Sequence, residues 1–232
     1  MRIGGLQKYS LIDYPPLVSC VVFTAGCNFH CPYCHNPELV APGPADQILT
    51  GKEVISFLNR RKRFLDGVVI SGGEPTLQQD LADLCSEIKS IGLSLKIDTN
   101  GSRPGVIKDL IKRGLADYIA MDVKTSPENY PLLLSDSVEP SAISESIRII
   151  LDSGISHEFR TTCVKPFTDE PSIRKIADLI RGADLHAIQC PHTQNVLSPG
   201  FFADQHSRFC SEKELESFRA VLAHSVKQVI IR

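Results

Sequence analysis

Short runs of β-branched and apolar residues alternate along this 232-residue chain with segments whose apolar positions recur at helical spacing. This alternation is typical of a parallel α/β sheet, because each crossover helix packs its apolar face on the strands that it connects. The pattern predicts six strands, at residues 18–24, 68–71, 94–98, 118–121, 157–164 and 185–189. A short closing strand is predicted at residues 227–231.

Polar residues at the ends of the apolar segments predict where helices begin. Thr50 with Glu53, and Ser211 with Glu214, have the spacing of a capping box, in which each side chain binds the other residue's backbone N–H. Residues 6–16 are predicted to form an edge hairpin ahead of the first strand, since their prolines cannot donate ladder hydrogen bonds.

Three stretches lack periodicity and are predicted to be loops, at residues 36–49, 125–140 and 190–210. A loop as long as the last one is uncommon in a compact domain and is more often functional than not. We therefore expect residues 190–210 to form a lid or a partner surface.

Six successive βα units with right-handed crossovers predict a partial (β/α)6 barrel of the TIM type, with a short N-terminal hairpin. The length favours a single domain over residues 1–232, with its core at about 17–190 and a C-terminal loop and helix at 191–232. A Rossmann sheet is the more distant alternative, because no Gly-x-Gly-x-x-Gly follows the first strand.

Polar residues follow the predicted strands at their C-terminal ends, where barrels of this kind carry their chemistry. Strand by strand, these are the loop with Cys27, Cys31 and Cys34, then Gly72-Gly73-Glu74, Asp98, Asp122 with Lys124, Arg160 and His192. Polar residues at one end of successive strands are expected to converge on one site.

The cysteine loop has the spacing C-x3-C-x2-C, at Cys27, Cys31 and Cys34. A four-thiolate zinc site or a complete iron–sulfur ligand set needs four protein ligands, and this loop supplies three. If the thiolates hold a [4Fe–4S] cluster, one iron keeps an open position where a small molecule can bind. The alternative is a zinc knuckle that borrows His30 or His35.

The composition of the chain limits the classes of partner and the cellular environment that are expected. With 25 basic and 27 acidic side chains and a net charge of −2, the chain has no electrostatic footprint for nucleic acid. No apolar run approaches the ~20 residues of a membrane span and no signal peptide is evident, so a cytoplasmic protein is expected. In a reducing cytosol the eight cysteines are more plausible as metal ligands or core residues than as disulfides. Five are scattered, and most are predicted to be buried: Cys20, Cys85, Cys163, Cys190 and Cys210.

The cysteine spacing, with Tyr33 just before the last cysteine, resembles the signature of the radical S-adenosylmethionine (SAM) superfamily, and Gly72-Gly73-Glu74-Pro75 resembles its Gly-Gly-Glu motif. Residues 31–38, 96–101 and 121–124 look like the glycyl-radical-enzyme activases. These comprise the activating enzymes of pyruvate formate-lyase and, closest over most of the chain, those of anaerobic ribonucleoside-triphosphate reductase. The resemblance runs from about residue 5 to at least 189, and the chain departs from the pattern at Pro16 and at residues 190–192.

The resemblance implies a [4Fe–4S] cluster on the three loop cysteines and S-adenosylmethionine as the second cofactor. The Gly72-Gly73-Glu74 backbone would meet the methionine amino group. The methionyl and ribose groups would be held by Asp98, Asp122, Lys124 and His192, and Tyr33 would lie against adenine. A monovalent cation would bind at Asp98, Thr99 and Asp122.

The implied activity is reductive cleavage of S-adenosylmethionine to a 5′-deoxyadenosyl radical, which takes a glycine hydrogen from a glycyl radical enzyme under anaerobic conditions. A flavodoxin or a ferredoxin would supply the electron. Residues 35–38 match the activase pattern, whereas enzymes resembling 7-carboxy-7-deazaguanine synthase place an aspartate directly after the third cysteine. Such a small-molecule enzyme is the main alternative. A plain electron carrier would need no cofactor pocket.

Overall fold

The computed structural model describes residues 1–40, 49–133 and 138–232. One eight-stranded sheet runs through these ranges with its strands in sequence order. The strands are β1 (Ile3–Ser10), β2 (Ser19–Thr24), β3 (Gly67–Gly72), β4 (Ser94–Thr99), β5 (Tyr118–Asp122), β6 (Ser156–Thr162), β7 (Leu185–Gln189) and β8 (Gln228–Ile231). The helices are α1 (Pro37–Val40), α2 (Gly51–Arg61), α3 (Leu81–Ile91), α4 (Pro104–Lys112), α5 (Ser141–Ser153), α6 (Glu170–Leu179), α7 (Gln205–Arg208) and α8 (Glu212–Ala223).

Strands β2 to β8 are parallel, and β1 pairs antiparallel with β2 at one edge. The predicted α/β class and the six βα units are therefore confirmed, and β8 is the closing strand that was expected. In the described part of the chain β1 and β8 are the two edges of the sheet, which makes the fold a partial barrel.

Alternation along each strand separates two environments. Residues such as Val22, Ile70 and Ile97 face the helices and belong to the main hydrophobic core, where they are fully buried. The opposite positions face the interior of the partial barrel, which combines a small apolar cluster around Val21 and Val69 with charged side chains. A period of two in the strands produces this division.

The sequence predicted most boundaries well and some details wrongly. Both capping boxes are present, at Thr50 with Glu53 and at Ser211 with Glu214. Residues 36–49 are not wholly loop, because Pro37–Val40 forms one helical turn, and the part at 41–48 lies outside the described residues. Among the loops at 125–140 and 190–210 the structure adds short helical turns at Pro127–Leu132, Pro199–Phe202 and Gln205–Arg208.

The scattered cysteines divide by burial. Cys20, Cys85 and Cys163 are buried, as predicted for most of them. Cys190 is exposed and Cys210 is partly buried. In the described ranges no helix is both long and apolar enough to cross a membrane.

Candidate active site

The cysteine loop leaves the C-terminal end of β2 and is held by backbone hydrogen bonds. Gly26 adopts a positive φ of 101° and donates its N–H to Leu39 O at 2.7 Å. Cys27 donates to Val40 O at 3.2 Å, and His30 donates to Leu133 O at 2.9 Å. Helix α1 and the turn after residue 127 thus fix the loop from two sides.

The thiols of Cys27, Cys31 and Cys34 line one cavity of about 540 Å³ together with Gly73 and Lys124. Burial raises the pKa of Cys27 to about 12 and that of Cys31 to about 11, and the positive charge of Lys124 acts against both shifts. Because the thiolate is the form that binds a metal, a bound cation would have to lower these pKa values.

The three thiols do not form a single-ion site. Among the described residues no group of three His, Cys, Asp or Glu side chains is arranged to hold one metal ion. Ligands of one zinc ion lie within ~4 Å of each other, because each Zn–S bond is only ~2.3 Å long. Of the two histidines of the zinc-knuckle alternative, His30 is exposed and does not line the cavity, whereas His35 lines it beside the cysteines.

The glycines after β3 let two loops approach closely. Gly72 has a φ of +112°, and a Cβ there would lie 2.4 Å from Thr24 O. A Cβ on Gly73 would lie 2.2 Å from Gly26 O, at the start of the cysteine loop. Only glycine at both positions allows the backbone after β3 to reach the wall of the cavity, and both residues line it.

Glu74, unlike the two glycines before it, does not line the cavity, and the contact of this backbone with the cofactor stays a prediction. Its fully buried carboxylate accepts hydrogen bonds from the Thr99 hydroxyl at 2.8 Å, from Asn100 N–H at 2.7 Å and from Thr76 N–H at 3.0 Å. Burial raises the pKa of Glu74, and these hydrogen bonds oppose the rise. Its role is to fasten the loop after β3 to the loop after β4.

A second group joins the ends of β4, β5 and β6. Arg160 lies between two carboxylates, with Nε 2.7 Å from Asp122 Oδ1 and Nη1 3.2 Å from Asp98 Oδ2. Lys124 Nζ lies 3.0 Å from Asp122 Oδ2 and lines the cavity. His192 also lines the cavity, whereas Asp98 and Asp122 do not, and the contacts of these four residues with the cofactor stay predictions.

The charges at this end set one another's pKa values. Burial acts to raise the pKa of Asp122, but the guanidinium of Arg160 and the ammonium of Lys124 outweigh it and hold that pKa well below its usual range. Burial lowers the pKa of Lys124, and Asp122 and Cys31 outweigh that effect, so the pKa is raised. Lys124 is therefore a permanent positive charge in the cavity at physiological pH.

Lys96, Glu158 and Arg232 form a charged group deeper in the barrel that sequence reasoning missed. Lys96 Nζ lies 3.2 Å from Glu158 Oε1 and donates to Asp13 O at 2.6 Å, while Arg232 Nη2 lies 2.9 Å from Glu158 Oε2. Their signal in the sequence was the period of two, because a charged residue at an inward strand position must find a partner inside.

The remaining two predicted site residues, Tyr33 and His192, differ in burial. Tyr33 is buried, with its ring centroid 5.7 Å from that of Phe167 and 6.3 Å from that of Phe201. Its hydroxyl has no hydrogen-bond partner among the described residues, which leaves a donor free for a ligand. His192 is exposed and lines the cavity near its opening.

Comparison with known proteins identifies this arrangement. The family model described as the radical SAM superfamily matches residues 21–180. A protein of Methanocaldococcus jannaschii that is named as a glycyl-radical enzyme activating enzyme is 35% identical over 99% of this chain and 95% of its own length. The pyruvate formate-lyase-activating enzyme of Clostridium pasteurianum is 29% identical over 78% of this chain and 76% of its own length.

Solved structures of low sequence identity share the fold. SuiB of Streptococcus suis, crystallised with S-adenosylmethionine, superposes with a TM-score of 0.66 at 16% identity, over 91% of this chain and 49% of that one. Coproporphyrinogen III oxidase HemN of Escherichia coli gives 0.60 at 14% identity, over 92% and 54%. This chain thus spans about half the length of each. It belongs to the radical SAM superfamily and is a homologue of the glycyl-radical-enzyme activating enzymes within it.

Proposed function

We propose that this protein binds a [4Fe–4S] cluster through Cys27, Cys31 and Cys34 and uses it with S-adenosylmethionine to activate a glycyl radical enzyme. When bound, these two cofactors of the superfamily supply a one-electron cleavage that yields a 5′-deoxyadenosyl radical. The single observation that carries the proposal is that three thiols, a glycine backbone and a fixed ammonium line the same cavity.

The donor set fits a cluster better than a single ion. Three soft thiol ligands on one loop, not gathered around one point, suit a group whose irons are bound at separate corners. Three ligands for four irons leave one iron without a protein ligand. Cys27 Sγ also accepts the N–H of Phe29 at 3.4 Å, the kind of contact that tunes cluster potentials.

The neighbouring residues fit the second cofactor. Gly72 and Gly73 present backbone without side chains, which suits close approach by an ammonium group. Lys124 supplies the opposite charge for a carboxylate, and the free hydroxyl of Tyr33 supplies a further polar contact near the cysteines. We assign Asp98 and Asp122 to a positioning role, because their carboxylates bind Arg160.

The cavity also reaches the opposite end of the barrel, where apolar residues are exposed. Its lining includes Ile12 and Asp13, in the connection from β1 to β2. Ile12 is 80% exposed, and its neighbours Tyr9 and Leu11 are 70% and 66% exposed. An apolar rim continuous with a deep cavity is the surface expected for a partner protein that inserts a loop. We propose that this partner is a glycyl radical enzyme, as the names of the relatives suggest.

The relatives favour an activase as a class, and we propose anaerobic ribonucleoside-triphosphate reductase as the target. A flavodoxin or a ferredoxin would donate the electron. The small-molecule alternative, an enzyme resembling 7-carboxy-7-deazaguanine synthase, is less favoured because a metabolite would not require the exposed rim at Ile12. We further propose that residues 1–232 form one domain, since all eight strands belong to one sheet.

The predicted monovalent cation fits these residues poorly. The guanidinium of Arg160 lies between Asp98 and Asp122, and the Thr99 hydroxyl is bound to Glu74. We propose that Arg160 takes the place of the cation in this chain. S-adenosylmethionine binding should then be the same in potassium, sodium and tetramethylammonium buffers of equal ionic strength.

The function is tested by mixing the reduced, cluster-loaded protein anaerobically with S-adenosylmethionine and the reductase, followed by electron paramagnetic resonance. A glycyl doublet on the reductase is expected. Cofactor cleavage without a radical on any glycyl radical enzyme of the host would favour the small-molecule alternative. Absence of cleavage together with stoichiometric zinc would contradict the proposal as a whole.

A further inference from the structure

Three cysteines outside the cysteine loop lie together beyond the ends of β6 and β7. Cys163 donates its N–H to Gln189 O at 2.8 Å, which places it beside Cys190. Val164 forms an antiparallel bridge with Phe209, and Lys165 donates to Arg208 O at 2.9 Å. Cys163 and Cys210 directly flank this bridge, at the positions that face each other if the antiparallel pairing is extended by one residue.

The backbone spacing at that pair is compatible with a disulfide. Facing residues of an antiparallel pair have Cα atoms about 4.5–5.5 Å apart. Disulfides span Cα separations of about 4.4–6.8 Å. The hydroxyl of Thr168 lies 3.9 Å from Cys210 Sγ and 3.2 Å from the carbonyl oxygen of Val164, the residue after Cys163.

The electrostatics of the thiols agree with this proximity. Burial raises the pKa of Cys163, and Cys210 and then Cys190 add to the rise. For the equally buried Cys20 and Cys85 no other cysteine contributes to the shift. Cys163 and Cys210 do not line the cavity of the active site, so neither thiol is placed to coordinate a metal cofactor bound there.

We propose that Cys163 and Cys210 form a redox-active dithiol whose reaction partner is a small-molecule disulfide. The partly buried Cys210 thiolate attacks the small disulfide, forms a mixed disulfide and releases one small thiolate. Cys163 then loses its proton and attacks the Cys210 sulfur, which expels the second small thiolate. In sum, two protein thiols are oxidised to one disulfide and one small disulfide is reduced to two thiols.

The dithiol lies at the far end of the segment that covers the cysteine loop. Leu197 donates its N–H to Cys34 O at 2.9 Å, and Ser198 donates to Pro32 O at 3.0 Å. A Cys163–Cys210 bond would tie the end of this segment to β6. The state of the dithiol would therefore set how firmly the segment is held over Cys34.

The test uses the cluster-loaded protein, treated anaerobically with oxidised glutathione and then digested under non-reducing conditions. We expect a peptide cross-linked between Cys163 and Cys210, the loss of two titratable thiols and unchanged iron content. Cys210→Ser should abolish the cross-link, whereas the matched Cys85→Ser should retain it. A Cys163–Cys190 cross-link, glutathione left on Cys190 alone, or no reaction would overturn the proposal.

Hydrogen exchange then tests the link to the cysteine loop, with the same two forms of the protein. In the oxidised form the amides of Leu197 and Ser198 should exchange more slowly than in the reduced form. Cys210→Ser, at a partly exposed position, should fold normally and show no difference between the two conditions. Equal exchange rates in both forms of the unmodified protein would overturn the coupling even if the disulfide forms.

Discussion

Polar groups at the two ends of the barrel cavity differ in whether they have hydrogen-bond partners within the protein. At the cysteine end, three thiols line the cavity and the Tyr33 hydroxyl has no partner among the described residues. At the other end the polar groups bind each other, because Glu158 accepts from both Lys96 and Arg232. Both ends are lined by the same strands.

This difference distinguishes residues that can bind a ligand from residues that hold the strands in position. Buried polar groups are nearly always hydrogen-bonded, so the Tyr33 hydroxyl, which has no partner among the described residues and belongs to a cavity-lining residue, is suited to a ligand. A paired buried charge is costly to break and contributes little binding capacity, because its partner already satisfies it. The cysteine end is therefore the end suited to hold the cofactors, and the charged interior holds the strands in position around it.

The largest expected effect follows from Cys31→Ala, which removes one of the three thiols at the binding end. Iron and sulfide content should fall to background and cofactor cleavage should be lost completely, because no described residue can replace the thiolate. Cys85→Ala, in the hydrophobic core, is the matched control and should keep both. Retention of a full cluster in Cys31→Ala would show that the binding end has been misplaced.

Arg160→Gln tests the support that buried ion pairs give to the strands. Removing one partner of a buried ion pair costs roughly 3–5 kcal/mol of the free energy of unfolding. The pKa of Asp122 is held below its usual range, so its contribution is complete at neutral pH and is lost as the pH falls through the native pKa. The difference between the native protein and the variant should shrink below a pH of about 4.

Chemical denaturation across this pH range measures the effect of Arg160→Gln. The control is Arg113→Gln, whose pair with Asp109 is exposed, and for which a change of only about 0–1 kcal/mol is expected. If the two variants were equally stable, the charged interior would not be the structural support that its pairing indicates.

Lys124→Ala tests whether one residue both supports the fold and binds the cofactor, since Lys124 contacts Asp122 and also lines the cavity. Loss of a charge-assisted contact of ~1.5–3 kcal/mol should weaken S-adenosylmethionine binding by roughly one to two orders of magnitude. Asp122 keeps Arg160, so the fold and the cluster should persist. Isothermal titration is the measurement, with the exposed Lys175→Ala as control, and equal affinities would remove Lys124 from the site.

Gly73→Ala tests the close approach of the two loops at the binding end. The added Cβ would lie 2.2 Å from Gly26 O, so the backbone must shift, at a cost of about 1–3 kcal/mol. Gly105→Ala meets nothing within 4 Å in helix α4 and should stabilise the protein by up to ~1 kcal/mol. Thermal denaturation compares the two, and an unchanged melting temperature for Gly73→Ala would mean that the loops can separate freely.

Ile12→Ser should have the smallest effect and only on the partner. Because Ile12 is exposed, stability and uncoupled cofactor cleavage should stay the same, while the KM for the proposed glycyl radical enzyme substrate rises several-fold. Leu132→Ser is the matched control, since Leu132 is 65% exposed and does not line the cavity. An equal KM in both variants would show that the rim at Ile12 is not the docking surface.

The sequence predicted the α/β class, the six strands of the βα units and the closing strand within a few residues. Capping boxes and β-branched runs are local signals, so their prediction needed no knowledge of the fold. The short helix at Pro37–Val40 was missed because a single turn has too few apolar positions to show a period.

Sequence alone determined that three thiols lie together at the proposed cluster site. Three thiols within eight residues, directly after a strand, must lie near one another whatever the rest of the chain does. The glycine pair after β3 was also readable, because only a few backbone conformations suit it. The family resemblance rests on these same short stretches.

Only the tertiary structure decided which charges bind each other and which face the cavity. Asp98, Asp122 and Arg160 come from three strands, and their pairing depends on the register between those strands. Glu74 lies one residue beyond two cavity-lining glycines, yet points into a buried network that contains Thr99 and Asn100. The facing of Cys163 and Cys210 likewise follows from a bridge that joins segments 45 residues apart. Contacts of this range have no local signal, because they form only when the whole sheet has closed around its interior.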